Sequence, residues 1–153
     1  MKHNPAEDEI RRRMAPGSLS RDGFLGEDNR SIDEIVDADK AHLAEIGLTV
    51  EKVADMLDWI HRVADEGIET EREMCHGKLK VRLEEGMGGI PCPFGCGYRG
   101  HKGIIHVRTP EREVRITPLH SHLVRKHGFF QGRGSTFRLD PDIAAELYNL
   151  CAD

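Results

Sequence analysis

The chain is 153 residues long, 38% hydrophobic and only 5% aromatic, which fits one domain, or a small domain with an appended helical piece, around a thin core. No apolar run approaches the roughly 20 residues of a membrane span, and the charged start Met1-Lys2-His3-Asn4-Pro5 lacks a signal peptide's apolar segment, so a cytoplasmic protein with no membrane partner is expected. In that reducing setting its 4 cysteines favour metal binding or free thiols over disulfides. The formal charge of −5 conceals an asymmetry: Glu27 to Glu85 carries 17 acidic against 8 basic residues, whereas Gly86 to Leu139 carries 9 basic residues against Glu111 and Glu113. Either the two halves complement each other within the fold or across a dimer, or the basic half faces phosphate, because clustered Lys and Arg release counterions from nucleic acid.

In chain order, residues 1–30 show no sustained period and contain Pro5, Pro16, Gly17, Gly23 and Gly26 among charges, which predicts a mobile tail tied down at its end by Phe24 and Leu25. Residues 31–153 are then expected to form a single compact domain. Ser31-Ile32-Asp33-Glu34 has capping-box spacing and opens a helix with Ile32, Ile35, Val36, Leu43 and Ile46 on one face, stopped by Gly47. Thr49 caps a second helix, whose stripe of Val50, Val53, Ala54, Leu57, Ile60 and Ala64 ends at Gly67. Together, residues 31–67 form an acidic helical hairpin. Its charge would repel phosphate, so it reads as a packing or dimerisation element rather than a DNA-reading helix-turn-helix.

From Lys78 to Glu84 strict alternation of Leu79, Val81 and Leu83 with charged residues predicts a half-buried strand. Gly86 to Pro91 reads as a flexible turn, and Cys75-His76 as a minor candidate ligand pair. Ile104 to Thr109 and Arg112 to Thr117 predict a two-stranded hairpin, followed by a short helix capped by Thr117, opened by Pro118 and ended by Gly128. Phe129 and Phe130 are expected in the core. Thr136 to Leu139 predicts a further strand, and Asp140-Pro141 starts a closing helix over 140–151 that presents Ile143, Leu147 and Leu150. Cys151 reads as an incidental thiol. The fold class expected is α+β, with the helical hairpin packed on a small antiparallel sheet and a basic, β-rich metal-binding part over 76–139.

Chemistry concentrates between Cys92 and Gly128. Cys92-Pro93-Phe94-Gly95-Cys96-Gly97 places three residues between two thiols, and His122-Leu123-Val124-Arg125-Lys126-His127 places four between two imidazoles on a predicted helix. Cys92, Cys96, His122 and His127 are the ligand set of a closed tetrahedral zinc site. The order of knuckle, hairpin and helix resembles the zinc finger with two cysteine and two histidine ligands, and Leu119 matches that family's core leucine. The resemblance implies a structural zinc and covers about a quarter of the chain. Twenty-five residues separate Cys96 from His122, about twice that family's gap, and the predicted hairpin follows both cysteines instead of holding them. Pro118 falls where such a finger carries a base-reading side chain, so the ligands carry over and that role does not.

Other histidines compete for the assignment. On an ideal helix His122 and His127 are about 140° apart, so the final turn must adjust to bring both to one ion. His120 lies about 10 Å along the axis from His127 and is a reserve ligand, a supporting group or a catalytic base. His101 and His106 are the remaining substitutes.

Three function classes follow. The first is a zinc-stabilised binding protein contacting nucleic acid or another polyanion through Arg99, Lys102, Arg108, Arg115, Arg125, Lys126 and Arg133. The second is an interaction module in which the acidic hairpin dimerises or recruits a basic partner. The third is a metal hydrolase with water replacing one ligand and His120 or Glu113 as base, a reading weakened by the lack of a His-Glu-x-x-His or deaminase signature. The non-enzymatic zinc protein is the leading expectation.

Overall fold

The computed structural model describes residues 5–152; residues 1–4, which include the start of the expected tail, and residue 153 lie outside it. The described chain is α+β: helices α1 (Pro5–Met14), α2 (Ile32–Glu45), α3 (Val50–Glu66), α4 (His120–His127) and α5 (Pro141–Cys151) surround strands β1 (Arg72–Met74), β2 (Leu79–Pro91), β3 (Arg99–Arg108) and β4 (Glu113–Ile116). The strands form one antiparallel sheet in the order β1-β2-β3-β4. Among the described residues no helix is long and apolar enough to cross a membrane.

Local signals account for most helix boundaries. Ser31 accepts from the Glu34 backbone N–H while the Glu34 carboxylate accepts from the Ser31 N–H, completing the capping box of α2. Thr49 caps α3 through the Lys52 N–H, and Asp140 caps α5, with Pro141 in its first turn. Ile32, Ile35 and Leu43 of the α2 stripe and Val53, Ala54, Leu57, Ile60 and Ala64 of the α3 stripe are buried, Val36 and Val50 are half-buried, and Ile46 is exposed beside an acidic outer face.

Two apolar clusters divide the core. In the larger, Val53, Leu57, Ile60 and Ala64 of α3 meet Leu79, Val81 and Leu83 of β2, Ile105 and Val107 of β3, and Leu147 of α5. The smaller joins Met14, Phe24 and Leu25 to Ile32 and Ile35, to Leu119, Leu123 and Phe129, and to Cys92. Helix α4 belongs to both, with Val124 in one and Leu123 in the other. Phe129 and Phe130 are both buried.

Several expectations are corrected. The described residues of the expected mobile tail are folded: α1 docks on α2 through the Glu7 carboxylate, which accepts from the Ile32 N–H at 2.8 Å, and Phe24 exchanges backbone bonds with Met14 and Gly132, each 2.9 Å. Phe24 and Leu25 are buried as anticipated, but the chain before them follows them in because Met14 fills the same cluster. Gly86 to Pro91 is not a turn: β2 continues through it with a bulge between Glu85 and Gly89 and pairs with β3 as far as Pro91↔Arg99. Residues 136–139 form no strand; Leu139 makes an isolated bond to the Phe130 carbonyl and is buried. Helix α4 begins at His120 rather than beside Thr117, because Pro118 and Leu119 form a preceding turn.

The cysteine reading is corrected most sharply. Cys75 and Cys151 form a disulfide across 76 residues, with Cα atoms 4.8 Å apart, so Cys151 is no incidental thiol and Cys75 no metal ligand. Sequence spacing could not pair them, because only the packing of α5 beside the β1–β2 turn makes them neighbours.

Candidate metal centre

Because β2 runs to Pro91 and β3 starts at Arg99, Cys92 and Cys96 sit in the connection at the tip of the β2–β3 hairpin. The cysteines are therefore held by a hairpin after all, one formed by a longer β2 rather than by β3 and β4. The Cys92 N–H donates to the Tyr98 carbonyl at 2.9 Å and the Gly95 N–H to the Cys92 carbonyl at 3.0 Å, which closes the knuckle. Gly95 adopts φ +74°, and a side chain there would also meet the Arg13 guanidinium, whose Nε donates to the Pro93 carbonyl at 2.7 Å. Helix α1 thus braces the knuckle.

Helix α4 supplies the imidazoles. Gly128, at φ +62° and ψ +26°, ends it in the left-handed conformation; its N–H bonds to the Val124 carbonyl, and the Phe129 N–H to the Leu123 carbonyl. This closure places His127 on the last helical position and turns Phe129 back into the smaller core.

The four side chains converge: one donor atom from each of Cys92, Cys96, His122 and His127 lies within 4.8 Å of every other. Cys92 Sγ is 3.4 Å from His127 Nε2, and Cys96 Sγ is 3.2 Å from His122 Nε2. A tetrahedral zinc with sulfur at about 2.3 Å and nitrogen at about 2.0 Å has S···N edges of about 3.6 Å. The donor set therefore fits such an ion after shifts of a few tenths of an ångström to about 1 Å.

Two aromatic rings orient the imidazoles. Phe94 stacks on His127 with centroids 4.0 Å apart and planes 7° apart, and Tyr98 stacks on His122 at 3.8 Å and 7°. Phe94 is itself held edge-on by Phe129 at 5.4 Å. Cys92 is buried, Cys96 exposed and both histidines half-buried. Burial pushes the Cys92 thiol up to about 12. Burial, followed by repulsion from His122 and Lys126, pushes His127 down to about 4; burial and then Lys126 also lower His122. Both histidine shifts favour the neutral imidazole that a metal requires, while burial makes the Cys92 thiol harder to deprotonate for a metal.

The reserve histidines are engaged elsewhere. His120 is buried, accepts from the Thr117 N–H at 2.9 Å through Nδ1 and donates to the Phe137 carbonyl at 2.7 Å through Nε2; burial pushes it down to about 4. His106 lies between Glu84 and Glu113, at 3.4 and 3.2 Å. His101 lines a separate cleft.

The expected basic face is divided. Arg125 pairs with Asp55 and Asp58 of α3 at 2.7 and 2.8 Å, and Arg108 with Glu71 at 2.7 Å, so acidic and basic segments partly neutralise each other within the chain. Arg99 donates to the Gly89 carbonyl at 3.3 Å, Arg115 lies 6.0 Å from the Phe137 ring centroid, and Lys126 neighbours both metal-site histidines. Arg99, Lys102, Arg115, Lys126 and Arg133 make no ion pair among the described residues and are exposed.

Comparison finds no match among protein-family models, curated proteins or solved structures. Sequence reasoning missed Phe94, Tyr98 and Arg13. A signal existed for the first two, since an aromatic residue stands two positions after each cysteine.

Proposed function

We propose that Cys92, Cys96, His122 and His127 hold one structural zinc, and that the domain it staples is a non-enzymatic module binding nucleic acid or another polyanion. The observation carrying the metal reading is the convergence of two thiols and two Nε2 atoms from separate elements, with both imidazoles clamped by stacked rings. The ion would cross-link the β2–β3 tip to α4 and neutralise the thiolates. Four protein donors leave no position for the water that hydrolysis needs. His120, with both ring nitrogens bonded to the fold, is unsuited to act as a base, and Glu113 is engaged by His106.

The polyanion reading rests on Arg99, Lys102, Arg115, Lys126 and Arg133, the expected contacts that intramolecular pairing leaves unneutralised. Its test is anisotropy of a labelled single-stranded oligonucleotide titrated with zinc-loaded protein across a salt series. Binding should weaken steeply with salt, and Lys126→Ala or Arg133→Ala should each lower the logarithmic slope by about 0.7. Failure to bind at low salt removes this reading and leaves the metal assignment standing.

A further inference from the structure

Beyond the metal centre, an open cleft of about 590 Å³ lies between α3 and the bulged part of the β2–β3 hairpin. His61 and Asp65 border it from consecutive turns of α3, while Glu85, Arg99, His101 and Lys102 border it from the strands. Among the described residues His61, Asp65, Glu85, His101 and Lys102 make no side-chain hydrogen bond or ion pair, and Arg99 bonds only to the Gly89 carbonyl. His61 is half-buried, and burial lowers its proton affinity against the opposing pull of Asp65 and Asp58; His101 lies near enough to act on it too, so two imidazoles border the same space without a hydrogen bond to the protein.

The backbone contributes as well. The register shift leaves Gly86, Met87 and Gly88 without partners on β3, with Gly88 at φ +81° and the Met87 side chain 93% exposed. A glycine-rich bulge with a left-handed residue presents main-chain N–H groups to an approaching anion. Metal chelation by the same histidines and carboxylates is disfavoured. Their donor atoms do not converge as those of the cysteine–histidine cluster do, and Arg99 and Lys102 would repel a cation.

An anion alone does not account for Asp65 and Glu85, which would repel it. A ligand carrying both an anionic group and hydroxyl donors satisfies both sets. We propose that this cleft binds a small hydroxylated phosphate ester, the phosphate meeting Arg99, Lys102 and the Gly86–Gly89 backbone, and the hydroxyls meeting Asp65 and Glu85. His61 and His101 supply further hydrogen bonds to the phosphate. The volume lies within the roughly 300–1,000 Å³ of small-molecule sites, enough for a sugar phosphate or mononucleotide. This inference concerns a discrete small-molecule cleft; it shares Arg99 and Lys102 with the polyanion reading, and the Lys126 and Arg133 variants, outside the cleft, separate the two.

Isothermal titration of the full-length, zinc-loaded protein with ribose 5-phosphate, inorganic phosphate and ribose tests it. Ribose 5-phosphate should bind one per chain, inorganic phosphate at least tenfold more weakly, and ribose not measurably. Arg99→Ala and Lys102→Ala, both at exposed positions, should each weaken ribose 5-phosphate at least tenfold while zinc content and melting stay unchanged. Asp65→Asn should weaken ribose 5-phosphate but not inorganic phosphate. Lys126→Ala and Arg133→Ala, outside the cleft, should leave these affinities alone. No saturable heat with either phosphate, or binding indifferent to Arg99→Ala and Lys102→Ala, overturns the proposal. Tightening of both phosphates by Asp65→Asn also overturns it, because the carboxylates would then only repel.

Discussion

Phe94 shows how one side chain serves both packing and chemistry. It sits between the two cysteines, stacks on His127 and is backed by Phe129, so this knuckle residue joins the His127 ring to the smaller core. Phe94→Ala should weaken zinc binding by roughly 10- to 100-fold, as loss of ligand-orienting contacts does elsewhere, read by competition with a chromogenic chelator. Asp28 is a second case. Its buried carboxylate accepts from the Arg30 guanidinium at 2.6 and 2.9 Å and from the Arg133 N–H at 3.1 Å, and the Arg30 bond above all holds it well below the usual carboxylate range. A depressed folded-state value means stability that is full above the unfolded value near pH 4 and is lost as pH falls below it. Asp28→Asn should therefore cost on the order of 2 kcal/mol in urea melts at pH 7, with the difference from the natural protein shrinking progressively below about pH 4.

At the scale of elements, the closing helix and the N-terminal segment are each tied to the body by a device with no local signature. The Cys75–Cys151 disulfide anchors the end of α5 beside the β1–β2 turn. Its 76-residue span gives a loop-closure contribution of about 4.5 kcal/mol, so Cys151→Ser should lose roughly that much in chemical denaturation while still binding zinc. Gly132 plays the matching part for residues 5–30: its N–H donates to the Phe24 carbonyl, and a Cβ there would overlap the Leu25 backbone. Gly132→Ala should destabilise by on the order of 2 kcal/mol and expose residues 5–30 to limited proteolysis. These ties explain where sequence reasoning stopped. Capping residues and apolar periods made α2, α3, α5 and the first half of β2 readable, because those signals lie within a few residues of the structure they set. The second half of β2, rich in glycine, depends on pairing with β3, and the folding of residues 5–30 depends on Gly132 more than a hundred positions away.

For the whole molecule, one cluster of four side chains decides whether hairpin tip, α1 and α4 act as a unit. Cys92 belongs to the smaller core, Arg13 of α1 grips the Pro93 carbonyl, and His122 and His127 face the thiols across the gap. The convergence of these four side chains was legible from spacing, since thiol and imidazole pairs at such intervals suit a single ion. The ring clamps and the bracing helix were not, because stacking partners are fixed by tertiary packing. Metal removal by a chelator should lower the melting temperature and loosen the smaller core before the larger one, seen as selective loss of amide protection around Leu119, Leu123 and Phe129.

Elemental analysis of the purified protein beside Cys96→Ser and His122→Ala, with the cobalt-substituted spectrum of each, tests the metal assignment most directly. Cys96 is exposed and His122 half-buried, so these variants retain most of the core. One zinc per chain, a tetrahedral cobalt spectrum with thiolate charge-transfer bands, and loss of both in either variant are the predicted results. A protein isolated and reconstituted without metal, or one in which both variants keep a full equivalent with unchanged affinity, would contradict the account.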